Sequence, residues 1–157
     1  MSINFVEGKT NNEGAKIGIV VSRWNSAITD RMLDGALKVL KGNGIQDEDI
    51  IVTRCPGSFE LPLAVQYLLE SKKLDGVIAL GVVIRGGTPH FEYVCDAVTT
   101  GVAALNLKYS IPIAFGVLTT DDVKQALDRV GEKGNKGGEA ALAVLEMISL
   151  KQEINAN

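Results

Sequence analysis

Residues 81–94 have the sequence GVVIRGGTPHFEYV, which joins the end of an apolar run to a glycine pair and to the only histidine of the chain. The apolar run extends back to Leu74, and such a continuous run is typical of a strand covered on both faces of a parallel sheet. After His90, apolar residues resume at helical spacing. A strand, a loop and a helix start therefore meet in this segment, and ligands of α/β proteins bind at such strand ends.

The strand–helix alternation of this segment occurs four times along the chain. The apolar runs that predict strands lie at residues 16–22, 50–55, 74–84 and 111–118, and helical spacing follows each of them, at about 28–41, 59–71, 91–109 and 122–129. A last helix is predicted from Glu139 to about Gln152. This order predicts an α/β fold, a flavodoxin-like three-layer sandwich with a four-stranded parallel sheet. We expect Ser26 to cap the first helix and Ser58 the second.

The bulk composition predicts one globular domain over residues 1–157. Hydrophobic residues make up 46% of the chain and charged residues 22%, as in ordinary globular domains. The INFV segment at residues 3–6 is a candidate for a short edge strand, and residues 1–14 are otherwise a polar arm.

A net charge of −3 argues against a nucleic-acid partner. The two cysteines form no metal motif, no segment resembles a signal peptide, and no apolar run is long enough for a membrane, so we expect a cytoplasmic protein.

Unusual residues collect where the predicted strands end, and parallel strands bring those ends to one edge of the sheet. Trp24 and Asn25 follow the first strand, and an exposed tryptophan there offers a platform for a flat ring; a core aromatic is the alternative. Ser58 and Glu60 follow the second strand. Glu60 can complement the helix dipole or accept hydrogen bonds from a ligand, and both roles are compatible.

The loop at residues 85–88, RGGT, is a candidate anion site because its glycines admit a close ligand and a helix starts behind it. An ordinary tight turn is the alternative. His90 can be a polar surface residue or an acid–base group, since histidine titrates near neutral pH. Arg129, Lys133 and Lys136 surround a glycine-rich turn that is either an anion clamp or a solvated loop. From the residues alone, the protein is an enzyme or a binding domain for a flat polar ring and a small phosphate.

Several longer motifs resemble the lumazine synthase (6,7-dimethyl-8-ribityllumazine synthase) family. They are RWN at 23–25, PGSFELP at 56–62, GVVIRGGTPHFEYV at 81–94, PIAFGVLTTD at 112–121, QALDRVG at 125–131 and NKGGEAA at 135–141. The resemblance implies condensation of 5-amino-6-(D-ribitylamino)uracil with 3,4-dihydroxy-2-butanone 4-phosphate, with release of phosphate and water. It implies no metal and no organic cofactor.

The resemblance also implies site residues. It implies that Trp24 stacks on the pyrimidinedione, that Gly87 and Thr88 bind the phosphate, and that His90 transfers protons. The positions implied to bind the ring and the ribityl hydroxyls are Asn25, Ser58, Glu60 and backbone groups near Val83 and Ile84. The positions implied to come from an adjacent subunit are Phe115 and Arg129, with Arg129 facing the phosphate, while Lys136 and Glu139 match family positions near the site.

The resemblance implies a homo-oligomer. The family forms pentamers, and some members assemble twelve pentamers into an icosahedral shell of 60 subunits. An insertion in the Arg129–Asn135 turn and an N-terminal proline go with plain pentamers. This chain has neither, and its first proline is Pro56, which favours the shell. Its turn is also one residue shorter than in many relatives, a departure that bears on the position of Lys136. Two alternatives stay open: the archaeal type of riboflavin synthase, and a scaffold protein that only binds flavin-like ligands.

Overall fold

The computed structural model describes residues 2–157, and Met1, the first residue of the predicted arm, lies outside the described residues. The strands are β1 (Ile17–Ser22), β2 (Ile50–Cys55), β3 (Gly76–Ile84), β4 (Ile113–Thr120), β5 (Val130–Gly131) and β6 (Gly134–Asn135). The helices are α1 (Ser26–Gly42), α2 (Leu61–Ser71), α3 (His90–Tyr109), α4 (Val123–Asp128) and α5 (Lys136–Ala156). Single 3-10 turns occur at Asp47–Asp49 and Ser58–Glu60.

Four parallel strands form the main sheet, in the order β2-β1-β3-β4. The connection after β1 places β2 on one side of β1, and the connection after β2 places β3 on the other side. The direction in which strands are added therefore reverses at β1. This order is that of flavodoxin-like folds. The α/β sandwich predicted from the strand–helix alternation is therefore confirmed.

The two faces of the sheet carry separate hydrophobic cores, and this explains why β1 and β3 are apolar at nearly every position. Ile17, Ile19 and Val21 of β1 pack on the face that is covered by α1 and α5. Val20 faces the opposite way, into the core formed with α2 and α3. Successive side chains of a strand point to opposite faces of the sheet, so a strand with both faces buried needs apolar residues at consecutive positions.

Several predicted element boundaries differ from the observed ones. The second helix begins at Leu61, after a 3-10 turn, and β4 begins and ends two residues later than predicted. The basic turn contains the small β5–β6 hairpin, which the short glycine-rich sequence did not indicate. The candidate edge strand at residues 3–6 is not formed in this single chain: neither β2 nor β4, the two edge strands of the main sheet, pairs with these residues, and Ile3 and Phe5 are exposed.

The N-terminal arm is anchored to α5 just before β1 begins. The backbone N–H of Lys9 donates to Ser149 Oγ at 2.9 Å, and Asn12 Nδ2 donates to the Leu145 carbonyl at 2.6 Å. Gly8 lies so close to α5 that a Cβ on it would be 2.1 Å from the Glu146 carbonyl oxygen. Residues 8–12 therefore pack on the helix, whereas the start of the arm is exposed.

Candidate active site

A cavity of about 500 Å³ lies at the carboxyl ends of β1, β2 and β3. Seven of the residues proposed from the sequence line it, namely Trp24, Asn25, Ser58, Glu60, Val83, Ile84 and His90. Each of the three parallel strands points its carboxyl end at this edge of the sheet, which is where ligands bind in doubly wound folds. Residues separated by up to 66 positions in the sequence thus share one cavity.

The indole ring of Trp24, on the turn that follows β1, forms one wall of this cavity. The backbone N–H groups of Arg23 and Trp24 both donate to the Pro56 carbonyl, at 3.1 and 2.9 Å, which fixes the turn to the next strand. Asn25 adopts the left-handed conformation, with φ 62° and ψ 46°, a region that asparagine tolerates better than most residues. The Trp24 side chain is 60% exposed. An exposed, backbone-anchored ring of this kind can stack on a planar ligand.

Asn25, and not Ser26, holds the N-cap position of α1, so the expected cap at Ser26 is wrong. The helix starts one residue earlier because the Asn25 carbonyl already accepts from the N–H groups of Ile28 and Thr29. The Asn25 side chain makes no capping hydrogen bond. An amide that borders the cavity without a capping role has its donors and acceptor available to a ligand.

Ser58 and Glu60 lie on the 3-10 turn that follows β2. The Ser58 hydroxyl donates to the Val82 carbonyl of β3 at 3.2 Å. The prediction that Ser58 caps α2 is therefore wrong. The Glu60 carboxylate accepts from the Gly57 N–H at 3.0 Å, which closes the turn. This bond uses one oxygen, and the carboxylate keeps further acceptor positions towards the cavity.

Cys55 lies beneath the same turn and is buried. Burial, and next the negative charge of Glu60, raise the pKa of Cys55 to about 11. Its thiol donates to the Gly57 carbonyl at 3.5 Å. A buried thiol with a raised pKa is a poor nucleophile, so Cys55 is a packing residue.

The RGGT loop borders a second cavity of about 690 Å³, which is lined by Arg85, Gly86, Gly87, Thr88, Pro89, Glu92, Tyr93 and Asp96. A Cβ on either glycine would meet nothing within 4 Å, so space for a ligand is open beside the backbone. The N-terminus of the twenty-residue helix α3 lies directly behind this loop, and helix N-termini favour anions. His90 begins α3 and lines the first cavity, so it lies where the two cavities approach each other.

Arg85 is engaged by carboxylates and does not present a free cation to this loop. Its guanidinium pairs with Glu92 and with Asp121, the latter at 2.9 Å, and it lies 4.2 Å from the centroid of the Phe91 ring. The hydrogen bond to Asp121, and next the one to Glu92, raise the pKa of Arg85, and the hydrogen bond to Arg85 lowers the pKa of Glu92. Within one chain, backbone groups and the helix N-terminus are therefore the groups of this loop that are open to an anion.

Arg129 and Lys136 line a third cavity, of about 420 Å³, together with Thr119, Asp128 and Glu139. This cavity shares no lining residue with the one that contains Trp24 and His90. Phe115 lies on the edge strand β4 and is 37% exposed. The fold thus distributes the predicted site residues over three cavities of one chain: the one that contains Trp24 and His90, the one that contains Gly87 and Thr88, and the one that contains Arg129 and Lys136.

Asn135, which sequence reasoning did not single out, holds the turn that carries Arg129 and Lys136. Its Oδ1 accepts from the N–H groups of Gly137 and Gly138, at 2.9 and 3.2 Å, and so caps α5. Its Nδ2 donates to the Arg31 carbonyl of α1 at 3.0 Å. The pattern of an asparagine before a glycine pair at a helix start could have indicated the cap. The link to α1 depends on tertiary packing.

Among residues 2–157, no group of three or more histidine, cysteine, aspartate and glutamate side chains is arranged to hold a metal ion. In the same part of the chain, no helix is both long and apolar enough to cross a membrane. The first two cavities offer an aromatic platform, polar acceptors, an imidazole and a helix N-terminus, and the third offers the cations of Arg129 and Lys136.

A comparison with protein families adds one finding. The family model described as 6,7-dimethyl-8-ribityllumazine synthase matches residues 14–152. The match covers the whole sheet, all of the site residues above and most of α5.

Proposed function

The chain belongs to the 6,7-dimethyl-8-ribityllumazine synthase family, whose members are transferases of riboflavin biosynthesis, and we propose that it condenses 5-amino-6-(D-ribitylamino)uracil with 3,4-dihydroxy-2-butanone 4-phosphate. Phosphate and water are released. The observation that carries this assignment is the meeting of Trp24, Ser58, Glu60 and His90 in one cavity beside an open glycine loop. The small-molecule substrates are a flat polar ring and a phosphate ester, and this cavity and the neighbouring glycine loop offer a partner for each.

The uracil substrate binds in the cavity of about 500 Å³, with its ring on the indole of Trp24. Asn25, Ser58 and Glu60 supply polar atoms for the ring and the ribityl hydroxyls, and the backbone at Val83 and Ile84 supplies more. The ring is held between an aromatic wall and the end of β3. Holding both reactants in one orientation is the main contribution that a site of this kind makes to the rate.

The phosphate of the second substrate binds at Gly87 and Thr88, where the N-terminus of α3 favours an anion. His90 stands at the start of that helix, between the ring and the phosphate, and transfers protons as the imine forms and as phosphate leaves. The leaving dianion is further stabilised by Arg129 of an adjacent subunit, with Lys136 near it.

The third cavity supports a site shared between subunits. In a single chain, Arg129 and the exposed Phe115 line no cavity with His90, so they reach an active site only if a second copy brings them there. We propose a homopentamer, and the tight β5–β6 hairpin, with only Glu132 and Lys133 between its strands, agrees with the shell-forming type. The enzyme acts as a single domain, with no metal or organic cofactor, in the cytoplasm, where its two free thiols stay reduced.

The proposed reaction is tested by incubating the purified protein with both substrates and measuring the lumazine product and free phosphate together. We expect equal amounts of the two products. Formation of riboflavin from the lumazine alone, without the butanone phosphate, would identify the archaeal type of riboflavin synthase. Binding without turnover would identify a scaffold protein. Light scattering of the same sample gives the molar mass, and a monomer would contradict the shared site.

A further inference from the structure

The cavity beside the RGGT loop contains carboxylates as well as the open backbone of the loop. Glu92 and Asp96 line it together with Gly86, Gly87 and Thr88, and the two acidic residues lie about one turn apart on α3. A phosphate group in this cavity would be close to both negative charges, and like charges repel. The loop therefore binds an anion well only if part of the carboxylate charge is offset.

Glu92 is the carboxylate that competes most directly with such an anion. It lies in the first turn of α3, where the helix N-terminus stabilises a negative side chain as it would stabilise a bound phosphate. Protonation does not remove this charge near neutral pH, because the hydrogen bond to Arg85 lowers the pKa of Glu92. The charge has to be offset by a neighbouring cation.

Among residues 2–157, Arg85 is the one cationic side chain that lines this cavity. Its Nε donates to Asp121 at 2.9 Å, and its Nη1 donates to Glu92. Its backbone N–H donates to the Thr120 carbonyl at 2.8 Å, and its guanidinium lies 4.2 Å from the centroid of the Phe91 ring. The planar guanidinium makes both carboxylate contacts at once, so the positive charge is fixed beside Glu92.

We propose that Arg85 sets the affinity of the RGGT loop for phosphate by offsetting the charge of Glu92. With the ion pair formed, the N–H groups of the loop and the start of α3 attract the phosphate ester; without Arg85, the free carboxylate repels it. Arg85 is thus a positioning residue that acts through Glu92, since its guanidinium is engaged by two carboxylates and does not contact the phosphate. This inference rests on the proposed function, which assigns the phosphate to this loop.

The test compares Arg85→Gln with wild type and with Arg54→Gln. Arg54 is the matched control, because it pairs with Asp30 at 2.9 Å, its side chain is 44% exposed like that of Arg85, and it does not line the cavity of the loop. We expect Arg85→Gln to raise the KM for the butanone phosphate, and the inhibition constant of inorganic phosphate, roughly three- to tenfold at low salt. The KM for the uracil substrate should change little, and Arg54→Gln should match wild type.

Salt dependence and a second substitution separate charge from structure. The effect of Arg85→Gln should decrease at high salt, because ions screen exposed charges. The double variant Arg85→Gln/Glu92→Gln has the same local net charge as wild type, so both constants should return close to the wild-type values. Glu92→Gln alone removes a negative charge and keeps Arg85, so inorganic phosphate should inhibit it at a lower concentration than wild type. This single variant tests the inference even if Arg85→Gln does not fold.

Three results overturn the inference: constants for phosphate that are unchanged in Arg85→Gln or raised equally in Arg54→Gln, a double variant that stays impaired, and a Glu92→Gln protein that phosphate inhibits no better than wild type. In each case, condensation by wild type leaves the proposed function intact. Failure of wild type to condense the substrates overturns the proposed function, and the inference with it.

Discussion

The indole ring of Trp24 rests on the backbone of Gly57, and a Cβ on residue 57 would lie 2.4 Å from Trp24 Cε3. Gly57 has an extended backbone, with φ −138° and ψ −177°, which any residue adopts. Glycine is therefore required at position 57 because a side chain would clash with the indole ring, and not because of the backbone conformation. The contact joins the turn after β1 to the turn after β2 and sets the orientation of the aromatic wall.

We expect Gly57→Ala to displace the Trp24 ring and to weaken binding of the uracil substrate. Trp24 is the only tryptophan, so its emission reports this ring alone. The emission maximum of the variant should shift, and quenching by a ribitylaminouracil analogue should need a higher concentration than in wild type. Gly42→Ala is the matched control, because a Cβ there meets nothing within 4 Å. Equal titration curves for the three proteins would contradict the role of this contact.

We expect His90→Ala to lower kcat by roughly 10- to 100-fold, at or below the low end of what general acid–base groups contribute, because orientation supplies much of the rate. KM for either substrate should change less. His90→Gln should lose a similar factor, since an amide can hydrogen-bond but cannot exchange a proton near neutral pH. Steady-state kinetics measure both values. Full activity in the glutamine variant would exclude proton transfer by His90.

We expect the weakly active His90→Ala and Arg129→Ala proteins to regain activity when they are refolded together. A site with His90 from one subunit and Arg129 from its neighbour is complete in about a quarter of random pairings. Activity should therefore recover to about a quarter of the wild-type value. Refolding each variant alone is the control. No recovery, with mixed oligomers present, would mean that both residues serve the site of one chain.

We expect Asn135→Ala to lower the free energy of unfolding by about 1–2 kcal/mol, as loss of a helix cap does. Asn135→Asp keeps the acceptor for Gly137 and Gly138 and loses the donor to Arg31, so its loss should be smaller. Both variants should raise the KM for the butanone phosphate, because Arg129 lies on the same turn. Urea unfolding at one protein concentration measures stability. Equal stability of the two variants would show that the hydrogen bond from Asn135 to Arg31 of α1 contributes more to stability than the helix cap does.

We expect Cys55 to make stability fall at alkaline pH. Its folded pKa, about 11, is above the ordinary value of 9.0, so the fold favours the neutral thiol. That contribution is fully present below pH 9 and is lost as pH rises through about 11. Urea unfolding of wild type and Cys55→Ala at pH 8 and pH 10.5 should show a larger decrease for wild type. Parallel decreases in the two proteins would contradict the raised pKa.

The sequence by itself determined the α/β class, the parallel sheet and the identity of the strand-end residues. These follow from local periodicity: an apolar run without alternation predicts a strand with both faces buried, and a break at glycine or proline marks its end. His90 came from the segment at residues 81–94, and the four strand–helix units indicated that Trp24 and Ser58 would lie at the same edge of the sheet. The backbone near Val83 and Ile84 was implied by the resemblance. The resemblance to a family rested on the same residues.

Only the tertiary structure decided what depends on contacts between distant segments. Ser58 was expected to cap its own helix, but the packing of β3 against the turn offers the Val82 carbonyl, and the hydroxyl donates there. The resemblance implied that Arg129 faces the phosphate of an adjacent subunit, and only the tertiary structure shows that Arg129 and His90 of one chain line separate cavities. Within residues 2–157 the buried Ser22 hydroxyl has no hydrogen-bond partner, and this is visible only once β1 and β3 are side by side. Periodicity along a chain specifies which face a residue occupies, whereas its partners across that face depend on the order of the strands and on close packing.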